Sequence, residues 1–261
     1  MSREFSLVKL LNIISYIFHK IEGKSYEDAY AYLKVKDVDR RLSLKNIYNN
    51  MLILDVGGGL GLDDLIFAYK GALPIVIDLD YNTLLKGKSF SKVLQLYDKI
   101  EYVVADALRL PFRDACFNMV ASFSAIEHLP NKRMWKIWVK EMVRVLKNNG
   151  KFILTTSNKF WLMYPIAKLL IALKKRPSEY FFSPHELSEE LMKNNIVIKK
   201  FDAGIIYYRG YSIIPSLIPF SDKLDNILEY LLNILEKKEY FKILCGRIGF
   251  CGIKKLNKLE N

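Results

Sequence analysis

Leu54-Asp55-Val56-Gly57-Gly58-Gly59-Leu60-Gly61 decides the fold. A short apolar run, Met51 to Val56, ends on glycines at 57, 59 and 61, and a helical pattern from Leu62 to Tyr69 follows. Glycines in this place let the backbone turn tightly and approach a ligand closely. The helix start behind them presents N–H groups to a carboxylate or a phosphate. A dinucleotide fingerprint, G-x-G-x-x-G, needs glycine at 57, 59 and 62, but position 62 is Leu; begun at Gly59 it fails at Asp64. No G-K-[ST] follows, so a Walker loop is excluded. The register that fits is D-x-G-x-G-x-G, from Asp55 to Gly61.

Outward from this loop, apolar runs alternate with helical patterns. Leu73 to Asp78, Ile100 to Ala105, Phe117 to Phe123 and Gly150 to Thr156 read as strands. Tyr81 to Leu96 and Asn131 to Leu146 read as the helices between them. Such alternation predicts an α/β fold: a Rossmann-like, doubly wound, mostly parallel sheet with helices on both faces. Ile196 to Phe201 and Ile248 to Ile253 bring the strand count to seven. Asp80 stands where an N-cap is needed before Tyr81. Ser183-Pro184-His185-Glu186 carries the Ser, Pro and Glu of a capped helix start. The chain divides into a helical cap (1–50), a core (51–157), an apolar and basic lid insertion (158–182) and a C-terminal part of the core (183–261). Helices are predicted at Phe5 to Lys20, Ser25 to Lys34, Asp37 to Tyr48 and Asp222 to Lys238.

Asp55, Asp78 and Asp106 each fall at or near the C-terminal end of a predicted strand, where open α/β sheets bind ligands. Three carboxylates there would repel a pyrophosphate. They suit a ligand with an ammonium, a ribose diol and an aminopurine. S-adenosylmethionine has all three, and a carboxylate for the glycine loop. Leu54 to Gly61 resembles motif I of class I S-adenosylmethionine-dependent methyltransferases. Ile75 to Asp78 resembles their second motif, Ala105 to Phe112 the adenine segment, and Phe117 to Leu129 the fourth motif. Val145 to Gly150 is similar to their L-K-P-G-G turn, with Asn148 for Pro and Asn149 for the first Gly. The resemblance covers roughly residues 50–157 and is closest to the type 11, quinone-biosynthesis subgroup. It implies S-adenosylmethionine as cofactor and S-adenosylhomocysteine as product. It sets Asp55 and Gly57 near the methionine moiety and Gly59 and Gly61 in the loop. Asp78 and Leu79 go to the ribose end, Asp106 and Ala107 to adenine, and Ser122 and Phe123 to the sulfonium.

Methyl transfer is a direct displacement, so a dry, aligned pocket does much of the work. For a hydroxyl or ammonium acceptor a base is needed, and His128 is the candidate; the same histidine also reads as a loop support. The lid stretch holds Trp161, Tyr164, Ile166, Leu169, Leu170 and Leu173 beside Lys168, Lys174, Lys175 and Arg176. Trp161 and Tyr164 are its candidates for the acceptor pocket, and Tyr207 to Phe220 for a further wall. A basic amphipathic helix also suits an anionic membrane surface, or the protein's own core.

The 261 residues carry a formal charge of +12, which attracts anions or serves solubility. The lysines are dispersed and no RNA-binding module is visible, so a nucleic-acid partner has no support of its own. Three cysteines, none in C-x-x-C, give neither a disulfide framework nor a metal site. No signal peptide and no membrane span is expected, and the cytoplasm is the default, with peripheral contact at a membrane surface as a further reading. The expected function is methylation of a small or lipid-like acceptor. RNA or protein methylation and cofactor binding without turnover are the alternatives. Acceptor atom and oligomeric state are open.

Overall fold

The computed structural model describes residues 37–174, 179–204 and 238–256. The predicted helices at 5–20 and 25–34, the stretch 207–220 and all but the last residue of the 222–238 helix lie outside these.

The described chain forms one seven-stranded sheet. α1 (Asp37–Ser43) precedes β1 (Leu52–Val56), α2 (Leu62–Tyr69), β2 (Leu73–Asp78), α3 (Tyr81–Val93) and β3 (Glu101–Val104). Then come β4 (Phe117–Phe123), α4 (Trp135–Val145), β5 (Leu146–Ser157), α5 (Tyr164–Ala172), α6 (Pro184–Lys193), β6 (Ile196–Gly204) and β7 (Arg247–Lys254). The strand order is β3-β2-β1-β4-β5-β7-β6. The first five strands are parallel, and β7 runs antiparallel between β5 and β6. The expected doubly wound, mostly parallel sheet is therefore the fold.

Burial explains the continuous apolar runs. In β4, Met119, Ala121 and Phe123 join α1 and Phe67 of α2 in one core cluster, while Val120 joins α4 in another. A strand covered on both faces has no polar side to show, so it reads as unbroken hydrophobicity. The caps behave as their chemistry requires. Asp80 accepts from Asn82 N at 2.9 Å and from the Thr83 hydroxyl at 2.6 Å. Ser183 and Glu186 close a reciprocal capping box at α6. β5 begins earlier than expected, at Leu146, which pairs with Phe117; the register shifts before Lys151 pairs with Met119, and Asn149, at φ +60°, lies in the irregular part between. Asn tolerates that region better than most residues, which accounts for Asn149 in the glycine place of the turn.

Among these strands the chain reverses direction at β1. β2 and β3 build out on one side of it and β4 on the other. The crevice outside the carboxyl ends of β1 and β4 is where such sheets bind ligands.

Candidate functional site

A cavity of about 350 Å³ opens at that crevice. Its wall combines Gly57 after β1, Asp78 and Leu79 at the end of β2, Ala105 and Ala107 after β3, and Ser124, Ala125 and His128 after β4. Leu129, Pro130 and Trp138 complete it. The volume lies in the usual range for small-molecule sites.

The glycine loop is pinned from beneath. Gly57 N and Gly58 N both donate to Ile77 O, at 2.9 and 3.0 Å. Gly57 has φ +72°, and a Cβ there would stand 2.5 Å from the Ala125 Cβ. Only glycine lets the loop lie against the segment after β4. Gly59, at φ +55°, aims its N–H at Asp78 Oδ2, 3.1 Å away. Asp80 N donates to the other oxygen, Oδ1, at 2.9 Å. Asp78 thus ties the loop after β1 to the loop after β2. A carboxylate has about four lone-pair sites, so it keeps acceptor capacity toward the cavity.

Asp55 is placed differently. It is buried, and a Cβ added at Gly58 would meet its Oδ2 at 2.6 Å. Its carboxylate therefore supports the loop from below and does not line the cavity. Gly61 caps α2 at φ +65°. Asp63 and Asp64 occupy the first turn of that helix, both buried. Acids at the positive end of a helix satisfy it internally, which disfavours a phosphate there and agrees with the failed dinucleotide register.

Ser122 and Phe123 do not line the cavity. The Ser122 hydroxyl is buried and donates to Val56 O at 2.8 Å. Phe123 turns to the opposite face of the sheet, 6.4 Å from the Phe67 ring. Ser124, at φ +51°, and Ala125 stand at the wall instead. Trp161 and Tyr164 are likewise not in the wall. Trp161 packs with Ala167 and Phe181, and Tyr164 meets Phe181 edge-on at 4.9 Å. Ala107 is in the wall; Asp106 is exposed beside it, and its Oδ1 accepts from Leu108 N at 2.8 Å.

The loop after β3 has an anchor the sequence did not reveal. Arg144 donates to Leu110 O, Phe112 O, Asp114 and Glu141, while Glu141 accepts from Leu110 N. The side-chain bond from Arg144 holds the Glu141 carboxyl below its ordinary range. Glu127 is buried and accepts from the Thr156 hydroxyl at 2.8 Å, away from the cavity. His128 is exposed at the end of a short 3-10 turn, Ile126–His128, and is one of the residues that line the cavity.

Trp138 is the second residue that spacing concealed, since its place on α4 reads as core. Its ring edge lies against Gly57, and its Nε1–H is buried with no acceptor among the described residues. The cavity thus offers an acidic pair of acceptor atoms and a glycine cradle. S-adenosylmethionine fits this set, with a diol for Asp78 and a backbone that needs a Cβ-free approach. Trp138→Phe is expected to leave the protein as stable or more stable, because a buried unpaired donor is removed. Thermal melting checks the sign.

An open sheet with a glycine loop after β1 and a ribose-type acid after β2, at the reversal point, defines a nucleoside-cofactor α/β domain. Residues 54–154 match the methyltransferase domain family. Over these residues the chain carries a methyltransferase domain, and the residues that line the cavity fit S-adenosylmethionine as its cofactor. The chain is 30% identical over 149 residues to the uncharacterized protein MJ1252 of Methanocaldococcus jannaschii, covering 57% of this chain and 53% of that protein. It is 32% identical over 131 residues to the chloroplastic tocopherol O-methyltransferase of Arabidopsis thaliana, covering 50% and 35%. The ubiquinone biosynthesis O-methyltransferase of Pelagibacter ubique is 29% identical over 175 residues, covering 64% and 70%. The chain therefore spans about half or less of the first two relatives. Magnesium protoporphyrin IX methyltransferase from Synechocystis PCC 6803, solved with bound S-adenosylhomocysteine, shares the fold at a TM-score of 0.61 and 14% identity. That match covers 91% of this chain and 93% of the other.

Proposed function

We propose that this protein transfers a methyl group from S-adenosylmethionine to a small, lipid-like acceptor. The observation that carries the reading is the Asp78 carboxylate, held by Gly59 N and Asp80 N and turned to a cavity whose wall is otherwise mostly apolar. Asp78 takes the ribose hydroxyls, Leu79 and Ala107 flank the base, and Gly57 lets the amino-acid end approach the backbone. The relatives with tocopherol and ubiquinone-pathway names support a lipid-like acceptor.

When bound, the cofactor supplies a methyl group activated on a sulfonium. The chain's own part is alignment and exclusion of water. Ala105, Ala107, Leu129 and Pro130 keep the wall apolar. For a hydroxyl acceptor, His128 takes the proton as the methyl transfers. His128→Asn is expected to slow transfer to such an acceptor about a hundredfold, within the usual range for a lost general base. Donor affinity should stay unchanged. Single-turnover rates and titration of the donor separate the two effects.

The test of the function is tritium transfer. Methyl-labelled donor is incubated with the protein and a panel of prenylated phenols and quinols, and the products are extracted into organic solvent. Label in that phase, lost with Asp78→Ala, supports the proposal. Label that stays with protein, or with nuclease-sensitive material, refutes it.

A further inference from the structure

α5 and the turn before it carry an exposed surface that the transfer chemistry does not use. Ile166, Leu169 and Leu173 follow one another at helical spacing and lie 38%, 54% and 56% exposed. The other face of α5 is spent on the protein, since Ala167, Ile171 and Tyr164 pack on Trp161 and Phe181. Phe160, Leu162 and Ile243 extend the exposed stripe and are each nearly half exposed. The segments that carry Phe160, Leu162 and Ile243 are tied to each other. Leu162 N donates to Leu244 O at 3.1 Å, and Asn158 Nδ2 donates to Ile243 O at 2.7 Å. Large apolar side chains gathered on a surface mark an interaction site.

Along the segment that carries α5 the charge has one sign. From Asn158 to Lys174 there is no Asp or Glu, while Lys159, Lys168 and Lys174 are all exposed. None of the three has a carboxylate partner among the described residues. We propose that this face rests on an anionic membrane surface, with Ile166 and Leu169 of α5 and Leu173 at its C-terminal cap dipped into the interface and the lysines at the headgroups. Interfacial helices have this arrangement of an apolar stripe and basic flanks. A nine-residue helix reaches about 14 Å, under half of a bilayer core. No helix among the described residues is long and apolar enough to cross a membrane, so α5 lies on the surface. A protein partner would need acids to meet these lysines and a matching apolar groove. A bilayer supplies both from one surface and would also present a lipid-like acceptor. The inference stands independently of turnover, because it is read by binding alone.

The experiment is sedimentation of the whole protein with vesicles of phosphatidylcholine, with and without phosphatidylglycerol. Wild type is expected to sediment with the anionic vesicles, to ignore the neutral ones, and to be released by salt. Lys168→Glu with Lys174→Glu should weaken partition about tenfold or more, since each lysine near an anionic surface contributes about fivefold. Leu169→Glu with Leu173→Glu should abolish it. Both double variants lie on the exposed face, and unchanged binding of S-adenosylmethionine confirms that each is folded. The proposal is overturned if wild type ignores anionic vesicles, binds neutral ones equally, or binds no better than the folded variants. It is also overturned if light scattering shows a dimer in solution that the leucine variant dissolves, which would assign the stripe to a second copy.

Discussion

Asp78→Ala is expected to weaken S-adenosylmethionine binding about a hundredfold to a thousandfold. The carboxylate has two tasks at once. It accepts from Gly59 N at 3.1 Å and from Asp80 N at 2.9 Å, which fixes the two loops that form one side of the cavity. Its remaining lone pairs are the acceptors offered to a ribose diol. Hydrogen bonds to a charged group are worth about 1.5–3 kcal/mol each, so losing two toward the ligand accounts for the lower bound. Loosening of the loop adds to it. Because both effects act on the ribose end, S-adenosylhomocysteine should lose affinity by a similar factor although it lacks the sulfonium charge. Asp78→Asn is a sharper variant. It keeps the size, but its NH₂ must face one of the two backbone N–H groups. It is therefore expected to bind at least tenfold more weakly than wild type rather than to rescue. Calorimetric titration with both nucleosides checks this. A change below threefold for Asp78→Ala would remove this residue from the site, and tight binding of NAD would remove the cofactor class.

The residues that proved legible are those where the backbone itself makes a demand. Gly57 and Gly59 have positive φ, and no other residue satisfies Gly57 without meeting Ala125. Asp80 and Ser183 are caps, whose chemistry is local. The alternation of buried strands with helices follows from period alone, and it gave the seven strands of the sheet. The illegible residues depend on which way a side chain points at the end of a strand. Ser122-Phe123 and Ser124-Ala125 are both plausible as the tip of β4, and sequence pattern does not say where the strand leaves the sheet. The register with β5, running to Phe123–Thr155, carries both members of the first pair into the sheet. Asp55 is an acid near a strand end like Asp78, but it stands one residue before the last of β1, whereas Asp78 is the last of β2, and it is covered by Gly58. Trp161 and Tyr164 lie in a stretch with apolar residues at most positions, so nothing in the sequence distinguished a pocket wall from a packing face. Trp138 was masked by its own helix: with Trp135, Val139 and Met142 it forms an ordinary buried stripe. Only its distance from Gly57 makes it part of the site.

Asp39→Ala is expected to destabilise the protein by about 3–5 kcal/mol, the range for removing one member of a buried ion pair. Asp39 is fully buried. Its Oδ2 accepts from Arg247 Nη2 at 2.9 Å, and its Oδ1 accepts from the Thr155 hydroxyl at 2.6 Å. One side chain on α1 therefore joins β5 to β7, across a stretch of sequence that hides the connection. The truncation leaves the Arg247 guanidinium, whose side chain is only 10% exposed, without this counter-charge. Replacing both, as Asp39→Leu with Arg247→Met, removes the Arg247 charge as well as the pair. It should cost less than the sum of the two single changes. Urea unfolding of the four proteins measures the cycle; additive changes, or a single cost under about 1 kcal/mol, would deny the pair its structural weight. The consequence for function runs through Thr155, whose carbonyl accepts from Ser124 N at 3.0 Å. Ser124 stands in the cavity wall with φ +51°, a strained position that persists only when its surroundings hold it. Asp39→Ala should therefore weaken the donor site modestly at temperatures where the protein is still folded. The apolar double variant, with its charge balance restored, should recover more of the stability than of the affinity.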